Sequence, residues 1–94
     1  MSKPKVVWTA QFKKDYKAAM KSHLDINQLD KVIRSLSNLE ELDPKYRDHS
    51  LSGDWKSFRE CHIKPDWLLI YKIEGGRLIL TLARTGSRSN LFGK

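Results

Sequence analysis

From Arg59 to Tyr71 the chain reads Arg-Glu-Cys-His-Ile-Lys-Pro-Asp-Trp-Leu-Leu-Ile-Tyr. An imidazole and two carboxylates are gathered there around one Pro-Asp bend. Asp48-His49-Ser50-Leu51-Ser52-Gly53 stands upstream, and Arg84-Thr85-Gly86-Ser87-Arg88-Ser89-Asn90-Leu91-Phe92 stands downstream. Cutting RNA without a metal needs a base for the 2′-hydroxyl proton, an acid for the leaving 5′-oxygen and cations for the crowded phosphorane. Histidine suits the proton steps because its pKa lies near the working pH. A carboxylate can orient an imidazole or act as the base. Arginine matches phosphate oxygens with paired donors, and Phe92 or Trp55 could stack on an unpaired base. His62, Glu60, Asp66, Arg84 and Arg88 form the candidate cluster, with His49 on the preceding loop and Lys56 further along the face of Glu60 and His62.

Each of these residues also has a plainer role. Asp66 after proline is a turn former. Glu60 could pair across strands with a cation, Arg84 and Arg88 could belong to a solvated rim, and Phe92 could plug the sheet. No metal and no cofactor are expected. Cys61 and His62 are neighbours on a strand and face opposite ways, and His23 has no partner near it in sequence, whereas zinc wants convergent ligands. Gly75-Gly76 has hairpin spacing rather than the spacing of a phosphate-cradling loop.

The elements that must position this chemistry fit one domain over residues 1–94. Val6, Val7 and Trp8 begin a strand. Thr9 then caps a helix whose Phe12, Tyr16, Ala19 and Met20 share a stripe. Asp25, with Gln28 three residues on, opens a second helix with Ile26, Leu29, Val32, Ile33, Leu36 and Leu39 on its apolar face. Asp43-Pro44 stops it. From Trp55 the period changes to two, giving strands at about 55–63, 67–74 and 77–84, the last with Leu78, Leu80 and Leu82 on one face. Gly75-Gly76 supplies positive φ angles for a tight hairpin. The middle strand is apolar on both faces except for Lys72, and is therefore central. The order β-α-α-β-β-β, with helices gathered before a mainly antiparallel sheet, is an α+β arrangement. Up-down-up pairing returns Arg84 and the tail to the Pro65-Asp66 end.

Eighteen Lys and Arg against eleven Asp and Glu leave a formal charge of +7. Such a surface attracts nucleic acid or an acidic protein. A single cysteine excludes an internal disulfide and suits a reducing compartment. No apolar run approaches the ~20 residues of a membrane span, and Met-Ser-Lys-Pro-Lys is not a signal peptide. A cytoplasmic location is expected.

Taken together, the motifs resemble the YafQ branch of the RelE/ParE toxin superfamily. They are Tyr46-Arg47-Asp48-His49, Leu51, Gly53, Trp55-Lys56, Arg59-Glu60-Cys61-His62, Pro65 to Lys72, Arg84-Thr85-Gly86-Ser87 and Leu91-Phe92-Gly93. The helical half agrees only in layout. The resemblance implies a RelE-like fold and a ribosome-dependent endoribonuclease cutting mRNA in the decoding site. It further implies an acidic antitoxin that wraps and inhibits the toxin and carries the pair to operator DNA. It assigns acid-base or phosphate-positioning roles to His49, His62 and Asp66, an acidic position to Glu60 and a terminal aromatic contact to Phe92. The family pattern has histidine where this chain has Arg88. Arginine stays charged at biological pH and cannot donate that proton, so weakened or absent cleavage is expected, with phosphate holding retained. Two alternatives stand beside this reading: a non-catalytic ParE-like toxin, and a basic module that binds RNA or an antitoxin.

Overall fold

The computed structural model describes residues 3–76 and 79–93. Strand β1 (Lys5–Trp8) leads into helix α1 (Ala10–Lys21), then helix α2 (Ile26–Ser37). Strand β2 (His49–Ser50), strands β3 (Arg59–Lys64), β4 (Trp67–Glu74) and β5 (Ile79–Gly86), and helix α3 (Arg88–Phe92) follow. None of the helices is long and apolar enough to cross a membrane.

Both helix starts are set by their caps. The Thr9 hydroxyl accepts from the Phe12 N–H at 3.0 Å and donates to the Ala83 carbonyl at 2.9 Å, tying α1 to β5. The Asp25 carboxylate accepts from the Gln28 N–H. Leu39, expected on the apolar face of α2, lies beyond its end instead, exposed and left-handed at φ 58°.

The five strands form one sheet in the order β1-β5-β4-β3-β2. The β3-β4-β5 meander is antiparallel and β4 is central, because Trp67 to Tyr71 are all buried. The β1 strand joins β5 in parallel, with Lys5 opposite Ile79. The helical hairpin covers one face, where Phe12, Leu29, Val32 and Leu36 meet Cys61, Leu69, Tyr71, Leu80 and Leu82. The other face carries a smaller cluster of Leu68, Ile70, Ala83 and Leu91, bordered by Leu51, Trp55, Phe58 and Phe92.

Four expectations need correction. The third strand runs on to Gly86 rather than ending at 84, and its expected first residues, 77 and Leu78, lie outside the described residues. The first meander strand begins at Arg59, because Gly53–Trp55 winds into a 3₁₀ turn. Gly75 and Gly76 do not take the positive φ angles expected of a two-residue hairpin turn. Finally, β2 and α3 are elements too short to show a period, and both turn out to carry the site.

Candidate active site

Glu60 is the centre. It lies on β3 with its side chain fully buried, on the face that the helices leave uncovered. His62, two residues along the same strand, shares that face and holds its Nε2 3.6 Å from Glu60 Oε1. His49 arrives from β2, whose register sets it directly opposite Glu60, with Nε2 3.4 Å from the same oxygen. Arg88, in the first turn of α3, donates from a terminal guanidinium nitrogen to that oxygen at 2.9 Å. The short helix is started by Ser87, whose Oγ accepts from the Asn90 N–H. Three cationic or ionisable groups thus converge on one carboxylate oxygen, while Oε2 is buried with no hydrogen-bond partner.

The imidazole tautomers follow from their other contacts. His49 Nδ1 lies 2.7 Å from the Arg47 carbonyl. A carbonyl can only accept, so Nδ1 carries hydrogen and Nε2 is the working nitrogen. Arg47 presents that carbonyl from a left-handed conformation, φ 50°. His62 Nδ1 faces the Pro65 carbonyl at 3.5 Å, a longer version of the same arrangement. The two rings are 6.1 Å apart between centroids.

A two-residue strand cannot hold itself in register. The residues flanking His49 are anchored instead. Asp48 accepts from the Tyr71 hydroxyl at 2.5 Å and from two nitrogens of Arg59, while Arg59 also donates to Ser50 Oγ at 2.9 Å. Burial, then the hydrogen bond to Asp48, pushes the Tyr71 phenol far above its ordinary range. Asp48 holds the Arg59 guanidinium all the more firmly charged. Sequence reasoning assigned no role to Tyr71, Asp48 or Arg59. Their spacing in the chain has no period, and only the strand register brings them together.

The other expected residues lie elsewhere. Arg84 does not join the cluster. The β1 strand stops pairing at Leu82, which leaves the following edge of β5 open, and Asp15 of α1 closes it. The Asp15 carboxylate accepts from Arg84 at 2.9 and 3.1 Å and from the Thr85 N–H at 3.2 Å. This pairing raises the Arg84 pKa further. Asp66 is exposed at the bend and lines a cavity of about 450 Å³ together with Arg84 and Asp15, away from Glu60. Lys56 follows the 3₁₀ turn rather than lying on β3, and is exposed. Phe92 stays close, with Arg88 Cζ 5.5 Å from its ring centroid and Trp55 6.2 Å away.

The site also holds a possible metal-ligand set that pattern reasoning did not consider. One ligand atom from each of His49, Glu60 and His62 lies within 4.8 Å of the others. Two imidazoles and a carboxylate suit a borderline metal ion, and the orphaned Oε2 adds a spare donor. Arg88 already supplies positive charge to the same carboxylate. Cys61 is in the core on the opposite face, and burial pushes its thiol far up.

An α+β domain with a helical hairpin on one face of a mixed sheet is the arrangement that this chain shares with a class of small bacterial toxins. A family model described as the bacterial toxin of type II toxin–antitoxin system, YafQ, matches residues 4–93, and the chain belongs to that family. It is 40% identical over 89 residues to the mRNA interferase toxin YafQ of Escherichia coli K12, spanning 94% of this chain and 95% of that protein. The crystal structure of the E. coli DinJ–YafQ toxin–antitoxin complex superposes with a TM-score of 0.90 at 39% identity, covering 98% of this chain and 100% of that one. A metal-bound toxin from Helicobacter pylori is 44% identical, with a TM-score of 0.89 over 95% of this chain and 99% of that one.

Proposed function

We propose that this chain is an mRNA interferase, a ribosome-dependent endoribonuclease that cuts mRNA in the decoding site. The observation that supports it is the approach of both working imidazole nitrogens, at 3.4 and 3.6 Å, to one buried carboxylate oxygen. A surface that only binds has no need of such a pair. One imidazole, neutral at its Nε2, takes the 2′-hydroxyl proton. The 2′-oxygen then attacks the adjoining phosphorus and the P–O5′ bond breaks; with no histidine at position 88, the second imidazole stands in as the less well placed donor that returns a proton to the 5′-oxygen. The products are a 2′,3′-cyclic phosphate and a free 5′-hydroxyl. Arg88 grips the phosphate oxygens as charge builds, and Phe92 lies where a base could stack.

Arginine where the family pattern has histidine leaves that position unable to donate a proton, so cleavage is slower than in relatives with the full set. Relatives form a complex with an antitoxin. The +7 charge suits an acidic partner of that kind, with operator DNA contacted only through it, in the cytoplasm.

The test is translation-dependent cleavage mapped by primer extension, comparing the chain with His62→Ala. Ribosome-dependent cut ends that vanish in the variant are expected. Cut ends that persist in His62→Ala would overturn the role given to the paired imidazoles, and growth arrest with DNA-damage signalling and intact mRNA would overturn the nuclease in favour of a ParE-like binder.

A further inference from the structure

Beside His62 lies a cavity of about 370 Å³ bordered by Lys45, Arg47 and Lys64, with Gln28 and Tyr46 in its wall. No carboxylate lines it. Four other cations on or beside the sheet are neutralised: Arg59 by Asp48, Lys72 by Glu74, Arg84 by Asp15 and Arg88 by Glu60. Lys45, Arg47 and Lys64 are exposed and make no ion pair among the described residues. Lys45 only leans over the Tyr46 ring, 5.2 Å from its centroid. Three unneutralised cations around a concave site favour an anion strongly.

The cavity is continuous with the candidate active site at two points. His62 lines it directly, and Arg47, another lining residue, also holds His49 through its carbonyl. Its volume is near the lower end for small-ligand pockets, room for about one nucleotide. Gln28, which donates to the Tyr46 hydroxyl, offers an amide oxygen at the wall for base or ribose contacts.

We propose that this cavity is an RNA subsite. It takes the nucleotide next to the scissile phosphate, with Lys45, Arg47 and Lys64 holding the flanking phosphodiester. The proposal rests on the nuclease reading, and it names the residues that fix the strand's register across His62.

The experiment measures binding and cleavage separately. A short single-stranded oligoribonucleotide, 2′-O-methylated so that it cannot be cut, is titrated by fluorescence anisotropy at several salt concentrations. The triple variant Lys45→Ala/Arg47→Ala/Lys64→Ala is compared with a charge-matched control, Lys13→Ala/Lys14→Ala/Lys17→Ala on α1, after circular dichroism confirms both folds. The first is expected to weaken binding at least about tenfold and to flatten the salt slope by about 2, the value for three single-strand phosphate contacts. The control leaves both nearly unchanged. Equal weakening by the two triples, or none, overturns the subsite. So does loss of affinity for ribosomes with free-oligonucleotide binding intact, which would make the cavity a ribosomal RNA contact. On ribosome-bound mRNA the double variant Lys45→Ala/Lys64→Ala, which leaves Arg47 and its hold on His49 intact, raises KM with kcat retained, and an unchanged KM while the parent cleaves overturns the subsite and spares the nuclease. A parent that cuts nothing removes the nuclease, and the oligonucleotide titration then decides the subsite alone.

Discussion

The Arg88 guanidinium donates to Oε1 of Glu60 at 2.9 Å, the same oxygen that the Nε2 atoms of His49 and His62 face. A permanent cation therefore shares the carboxylate with two titratable ones. Because Arg88 is half-exposed and Glu60 is fully buried, the arginine is the partner that can leave when a phosphate arrives. It can follow the phosphate, but it cannot hand over a proton.

Replacing Arg88 by histidine tests this directly. General acid catalysis contributes on the order of 100- to 10,000-fold. The Arg88→His variant is expected to cleave ribosome-bound mRNA at least about 100-fold faster in single-turnover assays. An unchanged rate would show that position 88 has no part in proton transfer.

The Tyr71–Asp48–Arg59 anchor makes a second prediction. Tyr71→Phe removes one hydrogen bond to a carboxylate, at a cost of about 1–2 kcal/mol by urea unfolding. Its larger effect is on chemistry, because β2 loses the contact that seats His49. A lower kcat, an unchanged KM and a displaced pH–rate profile are expected. A variant that loses stability while keeping the parent's pH profile would reduce the anchor to a purely structural role.

Arg84 offers a contrast. Asp15→Asn and Arg84→Gln each break a partly buried fork, and a double-mutant cycle should give a coupling of roughly 1–3 kcal/mol. Cleavage per folded molecule stays near the parent's. If Arg84→Gln instead raises KM with stability intact, the arginine binds substrate as its position in sequence suggests.

Alkaline unfolding tests the buried phenols. Burial, then the hydrogen bond to Asp30, pushes Tyr16 from its ordinary 10.0 up to about 12, and Tyr71 is pushed up as well. The folded state holds these protons more tightly than the unfolded chain does. Their contribution is whole below pH 10; that of Tyr16 drains away as pH rises through about 12, and that of Tyr71 persists to higher pH. Urea midpoints between pH 9 and 12 should fall accordingly, with a shallower fall in Tyr16→Phe.

What could be read from the sequence was whatever neighbours specify. Thr9 and Asp25 capped their helices as expected, because a cap acts over three residues. The central position of β4 followed from its unbroken apolar run. Glu60 and His62 shared a face because strands alternate. The rest depended on partners remote in the chain. His49 reached Glu60 through a strand of two residues, too short for any period. Arg84 was drawn off by Asp15, a residue whose helix gave no sign of which strand edge it would close. Ala83, the extra residue where Ile70 faces Arg84 and Tyr71 faces Leu82, shifts the β4–β5 register in a way that strict alternation cannot anticipate.

Among the described residues the first strand pairs with the last one, Lys5 against Ile79, and Arg88 follows later still. A chain made from its N-terminus onward therefore carries β1 without its partner, and Glu60 without its arginine, until β5 and α3 have been added. The meander and helical hairpin must come together first, and the edge strand and the guanidinium are late additions to a sheet already begun.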